Sequence, residues 1–518
     1  MISTVYTAGI EGVNGFPVSV ECALEEVLEE RNGGFDVLGL PDNAVKEAKE
    51  RVRNAILSSG KIFPACARIT VNMAPADKKK AGSSYDLALL MAVLSADGQV
   101  SSDISRFCFI GELSLLGWIR PVNGVLCMVL AAREAGITTV FVPKENGAEA
   151  SVVEGVTVYG VSNLSALFDH LEGKMPLDPV TFDRKNYLSV AGKASVDLSD
   201  VKGQQFAKRA LEIAAAGGHN LLLIGPPGTG KSMLAKCLPG ILPEMTFEEA
   251  LESTKIYSCA GVLPDGVALL PTRPFRAPHH TMSAVALAGG GAVPKPGEVS
   301  LAHNGVLFLD ELPEFPKQVT EILRQPLEDG EITITRALGH CTFPTRFMMV
   351  CAMNPCRCGY YGHPTHPCTC SPGDVKRYIS KISGPLLDRI DIEVELPSLS
   401  YDELASDDTP TDTSAVIRAR VTRAREFARE RMKKDGITGV NCNSQLDAGD
   451  LRRTCHISSD ASALMRSAYD SMGLSARGYD RVMRMARTVA DLAASDTVEA
   501  EHIAEAIQLR SLDRKYWG

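Results

Sequence analysis

The stretch "LLLIGPPGTGKSMLAKCL" (221–238) constrains this chain more than any other: four apolar residues run into G-x-x-x-x-G-K-S and then into a helix-forming segment. A buried strand, a glycine-rich loop and a helix in that order open a parallel α/β sheet. The free N–H groups of the helix N-terminus then face an anion. Gly225, Gly228 and Gly230 let the backbone curl around phosphates, with Pro226, Pro227 and Thr229 completing the loop. Lys231 supplies a cation for the β- and γ-phosphate oxygens and Ser232 a hydroxyl for Mg²⁺. The expected cofactors are ATP and Mg²⁺.

Two further strand ends complete such a site. "GVLFLDEL" (305–312) is an apolar run that stops at Asp310 and Glu311, the first suited to hold Mg²⁺ and the second to polarise the attacking water. "RFMMVCAMNP" (346–355) ends on Asn354, a polar side chain at the carboxyl edge of a strand, where ligands bind in open parallel sheets. Asn354 is therefore a candidate to orient water near the γ-phosphate. Turn formation by Asn-Pro is the competing reading.

A chain of 518 residues exceeds one core, so two or three domains are expected. Residues 1–173 mix β-like runs ("ARITVNM", "TTVFVP") with helical ones ("AVKEAKERVRNAIL", "YDLALLMAVLSA") and read as an α/β domain. Residues 174–195 lack periodicity and read as a linker, 196–400 as the P-loop α/β core, and 401–518 as helices. In "IRARVTRAREFARERMKK", Ile417, Val421, Ala424 and Ala428 form an apolar stripe that leaves the arginines mainly on the exposed side. Net charge is −9, from 54 basic and 63 acidic residues, which excludes a uniformly basic nucleic-acid coat but not a local basic surface. No basic leader precedes an apolar stretch and no run of 18 apolar residues occurs, so the expectation is a cytoplasmic protein without a membrane span.

Several long blocks identify a family. "PFRAPHHTMSAVALAGGGAVPKPGEVSLAHNGVLFLDELPEF", "LRQPLEDGEITITRA" and "SGPLLDRIDIEVEL" resemble the magnesium-chelatase-like YifB/ComM branch of the AAA+ ATPases. The resemblance covers essentially the whole chain. It implies that Arg389 is an arginine finger reaching the neighbouring subunit's nucleotide, in a homo-hexamer formed with ATP or DNA. Read from residues alone, Arg389 pairs locally with Asp388 or Asp391. The resemblance also makes Arg477 the sensor-2 arginine of a helical lid, with Arg481 as competitor. The segment around His279 and His280 matches a helix-2 insert. "EITITRALGHCTFPTR" alternates about a short loop as a hairpin would and matches the presensor hairpin carrying Arg336. In helicase-type rings these elements touch DNA, so Arg336, His279 and His280 are the candidate DNA contacts.

The first 173 residues resemble the Lon-protease fold shared with ribosomal protein S5. Lon-type proteolysis needs a serine and a lysine base. Ser84 falls near the serine position, but Leu126 stands where the lysine belongs, so protease or unfoldase activity is disfavoured.

The remaining motif is "NPCRCGYYGHPTHPCTC" (354–370). Fourteen cysteines occur in the chain, and four of them, Cys356, Cys358, Cys368 and Cys370, make C-x-C-x9-C-x-C. Four thiolates suffice for a tetrahedral structural Zn²⁺, with His363 and His366 as possible replacements. Free thiols are the alternative. Disulfides are disfavoured in a reducing compartment, and the spacing matches no iron–sulfur pattern. The resemblance as a whole implies an ATP-driven DNA motor, a branch-migration helicase acting on recombination intermediates in natural transformation or repair. The rival is a chelatase motor that remodels a porphyrin metal-insertion partner, disfavoured because chelatase ATPase subunits are expected to lack this N-terminal domain.

Overall fold

The computed structural model describes residues 1–27, 33–184, 187, 196–291, 293–336, 339–399 and 412–517. Two compact units emerge: Met1–Ser189 with Ala250–Leu270, and Val190–Glu249 with Pro271–Gly518.

The first unit is built on strands β1 (Ile2–Glu11), β2 (Asn14–Glu26), β3 (Gly34–Leu38), β4 (Ala67–Ala74), β5 (Phe107–Phe109), β6 (Thr139–Pro143) and β7 (Thr157–Val161). Their order in the sheet is β3-β4-β2-β1-β5-β6-β7. The β1–β2 and β2–β4 pairs are antiparallel and the rest parallel. The helix Asn43–Ser58 starts where the Asp42 carboxylate accepts from the Val45 N–H at 2.9 Å. The helix Asp86–Ala96 is apolar on every side and buried except at Ser95, as a central helix must be. Its one charge, Asp86, is held by Arg51 through two bonds of 2.6 and 2.9 Å.

Residues 250–270 belong to this unit, which local periodicity does not announce. The Ser258 carbonyl accepts from the Gly124 N–H at 3.0 Å, and the Cys127 and Cys259 sulfurs lie 3.4 Å apart. Leu126, in the helix Val125–Glu134, is fully buried and offers Ser84 no base. Of the segment read as a linker, Val180 bonds to the edge strand at Val158 O, while 185–186 and 188–195 lie outside the described residues. The expected boundary at 400/401 lies outside them as well.

The second unit carries a five-stranded parallel sheet. In chain order its strands are β8 (Leu221–Ile224), β9 (Phe275–Arg276), β10 (Val306–Leu309), β13 (Met348–Met353) and β14 (Ile392–Glu395), and their spatial order is β9-β10-β13-β8-β14. Between β10 and β13 the chain makes the expected hairpin, β11 (Glu331–Arg336) against β12 (Gly339–Pro344), with Arg336 opposite Gly339 at its tip. The Arg336 side chain lies outside the described residues.

The helices after residue 412 share one apolar cluster with the sheet: Ile417, Val421, Ala424 and Ala428 join Leu221, Leu223, Val482, Ala486 and Ile503. The expected stripe on Ser414–Lys434 is therefore buried, but the arginines are not all free. Arg420 pairs with Glu212, Arg425 donates to the Ala215 carbonyl, and buried Arg431 binds Asp491 at 3.0 Å. A helix of 21 residues touches neighbours on both flanks, so a one-face reading misplaces these cations.

Candidate functional site

Register brings the site together. Ile224 pairs with Met353, and Leu309 with Cys351, so the loops after β8, β10 and β13 emerge on one edge. The Gly225 N–H also bonds to Met353 O at 3.2 Å. The loop 225–232 turns through Gly228 and Gly230, both in the left-handed region at φ +82° and +87°, where a side chain would be strained. Gly230 then opens the helix Lys231–Ile241.

The Lys231 ammonium folds back onto the loop. It donates to Gly225 O at 2.7 Å, Pro226 O at 2.8 Å and Asn354 Oδ1 at 3.2 Å. Burial lowers its pKa to about 8, against the raising charges of Asp310 and Glu311. Neutral carbonyls are weak partners for an ammonium, and phosphate oxygens in the loop would replace them with anionic ones. Thr229 Oγ1 donates to Pro226 O at 2.9 Å and braces the turn.

Ser232 Oγ donates to Asp310 Oδ2 at 2.8 Å. A hydroxyl and a carboxylate at that separation are hard oxygen donors that fit Mg²⁺, which keeps several waters and takes few protein ligands. Glu311 sits at φ +54°, its N–H bonds to Asp310 Oδ1 at 3.0 Å, and its side chain is exposed. The His280 ring meets Glu311 Oε2 at 3.4 Å, and the His279 ring lies 4.1 Å from the His280 ring. His280 is thus beside the acidic pair, a neighbour that the sequence did not suggest.

The two expected arginines lie together elsewhere. Arg389 and Arg477 both line a cavity of about 720 Å³ that none of 225–232, Asp310, Glu311 or Asn354 lines. Arg389 donates to Pro385 O at 2.7 Å and pairs with Glu328, not with Asp388 or Asp391 as a local reading would have it. Arg477 is exposed, and its guanidinium makes no hydrogen bond or ion pair among the described residues. Arg481, its competitor, is buried and bound to Asp388 at 3.0 Å.

The sulfurs of Cys356, Cys358, Cys368 and Cys370 all lie within 4.8 Å of one another. His363 and His366 are not with them. His363 Nδ1 accepts from the His366 N–H at 3.0 Å and its Nε2 meets Ser398 Oγ at 2.8 Å, so both ring nitrogens are engaged away from the sulfurs.

Comparison with known proteins agrees with this layout. A family model described as magnesium chelatase, subunit ChlI, matches residues 197–404. A second, described as subunit ChlI of Mg-chelatase, matches 24–146, and a third, its C-terminal part, matches 411–510. The match at 24–146 removes the expectation that the first unit separates this chain from chelatase subunits. Competence protein ComM of Haemophilus influenzae is 42% identical over 519 residues, covering 99% of this chain and 98% of that protein. The Escherichia coli protein YifB is 41% identical over 515 residues, with 99% and 98% covered. The magnesium-chelatase 38 kDa subunit of Rhodobacter capsulatus is 28% identical over 176 residues, 30% of this chain and 49% of that subunit.

Proposed function

The chain belongs to the magnesium-chelatase-like AAA+ family that includes ComM and YifB, and from that premise we propose that it is an ATP-driven, ring-forming DNA motor, a branch-migration helicase acting on recombination intermediates. The observation that carries the ring is the separation of Arg389 and Arg477 from the loop 225–232. Arg477 is then open to a neighbouring protomer, and Arg389 becomes so on leaving its resting partner Glu328, where a guanidinium stabilises charge on the transferring phosphoryl group.

Within one protomer, Lys231 would exchange its loop carbonyls for phosphate oxygens, and Ser232 and Asp310 would hold Mg²⁺, which when bound would supply charge neutralisation. Glu311 polarises water, and Asn354 holds Lys231 and the γ-phosphate side of the pocket in line. Arg336, at the hairpin tip, is the chosen DNA contact, with His279 second. His280 contacts Glu311 and is better suited to reporting pore events to the hydrolytic acid than to gripping DNA. In this reading the first unit is Lon-like in fold without its protease chemistry, the last helices form a lid, and the four cysteines hold structural zinc.

The chelatase reading keeps support from the ChlI family models. The full-length likeness to ComM and YifB, against a match confined to 30% of the chain for the Rhodobacter subunit, favours the DNA motor. The test is ATP turnover with and without single-stranded or forked DNA, with Lys231→Ala and Glu311→Gln as blanks. Stimulation by DNA, with strand movement that both variants lose, is expected. Turnover that ignores DNA and moves no strand removes the DNA motor and leaves the ATPase.

A further inference from the structure

The loop carrying the four cysteines bears on the nucleotide pocket at two points. Gly359, at φ +89°, lies so close to the loop 225–232 that a Cβ there would fall 2.6 Å from Pro227 Cδ. Asn354, two residues before Cys356, holds Lys231 at 3.2 Å. From the far end, the helix Pro372–Ile379 follows Cys370 and buries Tyr378.

Burial holds only the start of this loop, where Pro355, Cys356 and Gly359 are buried. From 360 to 370 no residue is buried, and beside one longer tie, His363 Nε2 against Ser398 Oγ at 2.8 Å, the loop's bonds are short-range turns such as Gly359 N–H to Cys356 O at 3.0 Å. The sulfurs, by contrast, converge. Cys356 Sγ lies 3.3 Å from Cys358 and 3.7 Å from Cys368, and Cys358 lies 3.5 Å from Cys368. All four are free thiols. A tetrahedral thiolate site with bonds of about 2.3 Å has edges of about 3.8 Å, close to these separations.

We infer that zinc bound by Cys356, Cys358, Cys368 and Cys370 is the strut that sets nucleotide affinity, fixing Gly359 against Pro227 and Asn354 against Lys231. The inference rests on reading 225–232 as the ATP site. Metal occupancy then becomes a control on the motor: without it the loop keeps its turns but loses its cross-link, and the pocket loses two of its walls.

The test uses the full chain purified without nickel or chelator. Zinc is measured per chain by plasma mass spectrometry, and affinity by titration with a fluorescent ATP analogue, before and after stripping with a zinc chelator. About one zinc per chain is expected. Stripping should weaken analogue binding about tenfold, with recovery on adding zinc back, a coupling of ordinary size for adjoining sites. Gly359→Ala keeps all four thiols, so it should retain zinc and an unchanged circular dichroism spectrum while binding the analogue more weakly. That variant separates a local strut from general unfolding. Zinc below about half an equivalent overturns the inference. So does a verified metal-free chain whose affinity stays within about twofold. A chain that binds no analogue, or binds it equally well as Lys231→Ala, sinks the nucleotide reading and this inference with it.

Discussion

The Arg481 guanidinium donates to Asp388 Oδ1 at 3.0 Å, which fastens the helix Ala476–Leu492 to the residue just before Arg389. The same side chain reaches Ile390 O at 3.3 Å, on the other side of Arg389. Arg481 is therefore a splint across the segment that carries Arg389, the proposed finger, while the Arg477 guanidinium, one turn earlier, makes no hydrogen bond or ion pair among the described residues.

Arg481→Ala should destabilise the second unit by about 2 kcal/mol, the usual range for hydrogen bonds from a charged donor that leave acceptors unpaired. Urea unfolding measures it. Because Arg481 is far from the loop 225–232 in the chain and absent from its bonding, nucleotide affinity should stay unchanged while turnover falls. Arg477→Ala should do the reverse of the first effect: stability within about 0.5 kcal/mol of the parent, as for an exposed side chain, and a loss confined to turnover. Equal stability losses in the two variants would count against the division of labour between them.

In the proposed ring, Arg389 and Glu311 of one protomer serve different composite sites. Arg389→Ala should lower turnover by about 10³-fold or more. Glu311→Gln should be similarly inactive. Mixing the two inactive proteins creates interfaces in which one protomer supplies Glu311 and its neighbour Arg389, so activity should return to a fraction of the parent rate. A mixture as dead as its components would sink the borrowed guanidinium. Glu328→Gln probes the resting pair directly. The Glu328 side chain is 61% exposed, so the change should cost less than about 1 kcal/mol. It should also release Arg389 from its resting partner.

Asp391 gives the second unit a pH dependence. Burial raises its pKa, but the hydrogen bond and charge of His219, the charge of Arg481 and the Asn220 N–H outweigh burial and hold the carboxyl below its ordinary value. A folded pKa beneath the unfolded one means the carboxylate's contribution is complete above about pH 4 and disappears as pH falls through the folded value. Asp391→Asn should therefore be less stable than the parent at pH 7, and the gap should narrow as pH falls below about 4. Urea midpoints across that range read the gap, and a gap indifferent to pH would refute the assignment.

What the sequence disclosed and what it withheld follow from range. The loop 225–232, the acids after β10, Asn354, the hairpin and the stripe of Ser414–Lys434 are each written within a few residues, by spacing or period. The pairs that control the arginines are not. Glu328 and Arg389 are 61 residues apart and Asp388 and Arg481 are 93 apart, brought together only by the sheet crossovers and the helices beyond. His280 meeting Glu311 is of the same kind, because β9 and β10 are neighbours in space across an insert. The share of 250–270 in the first unit left no local mark either, since a helical period says which face is buried but not against what.

Arg336 offers the sharpest test of the DNA reading. The register of β11 and β12 sets it opposite Gly339 at the end of a two-stranded ribbon, the point such a ribbon presents to anything passing its tip. A cation that neutralises a backbone phosphate releases a condensed counterion, so its removal weakens binding to every sequence alike and flattens the salt dependence. Arg336→Ala should leave turnover without DNA unchanged, reduce its stimulation by DNA, and lower the slope of log affinity against log salt by about one for each phosphate that is no longer neutralised. Fluorescence anisotropy of a labelled single strand between low and moderate salt measures that slope. If affinity drops while the slope is untouched, the residue shapes the hairpin rather than touching phosphate. If neither changes, DNA passes elsewhere.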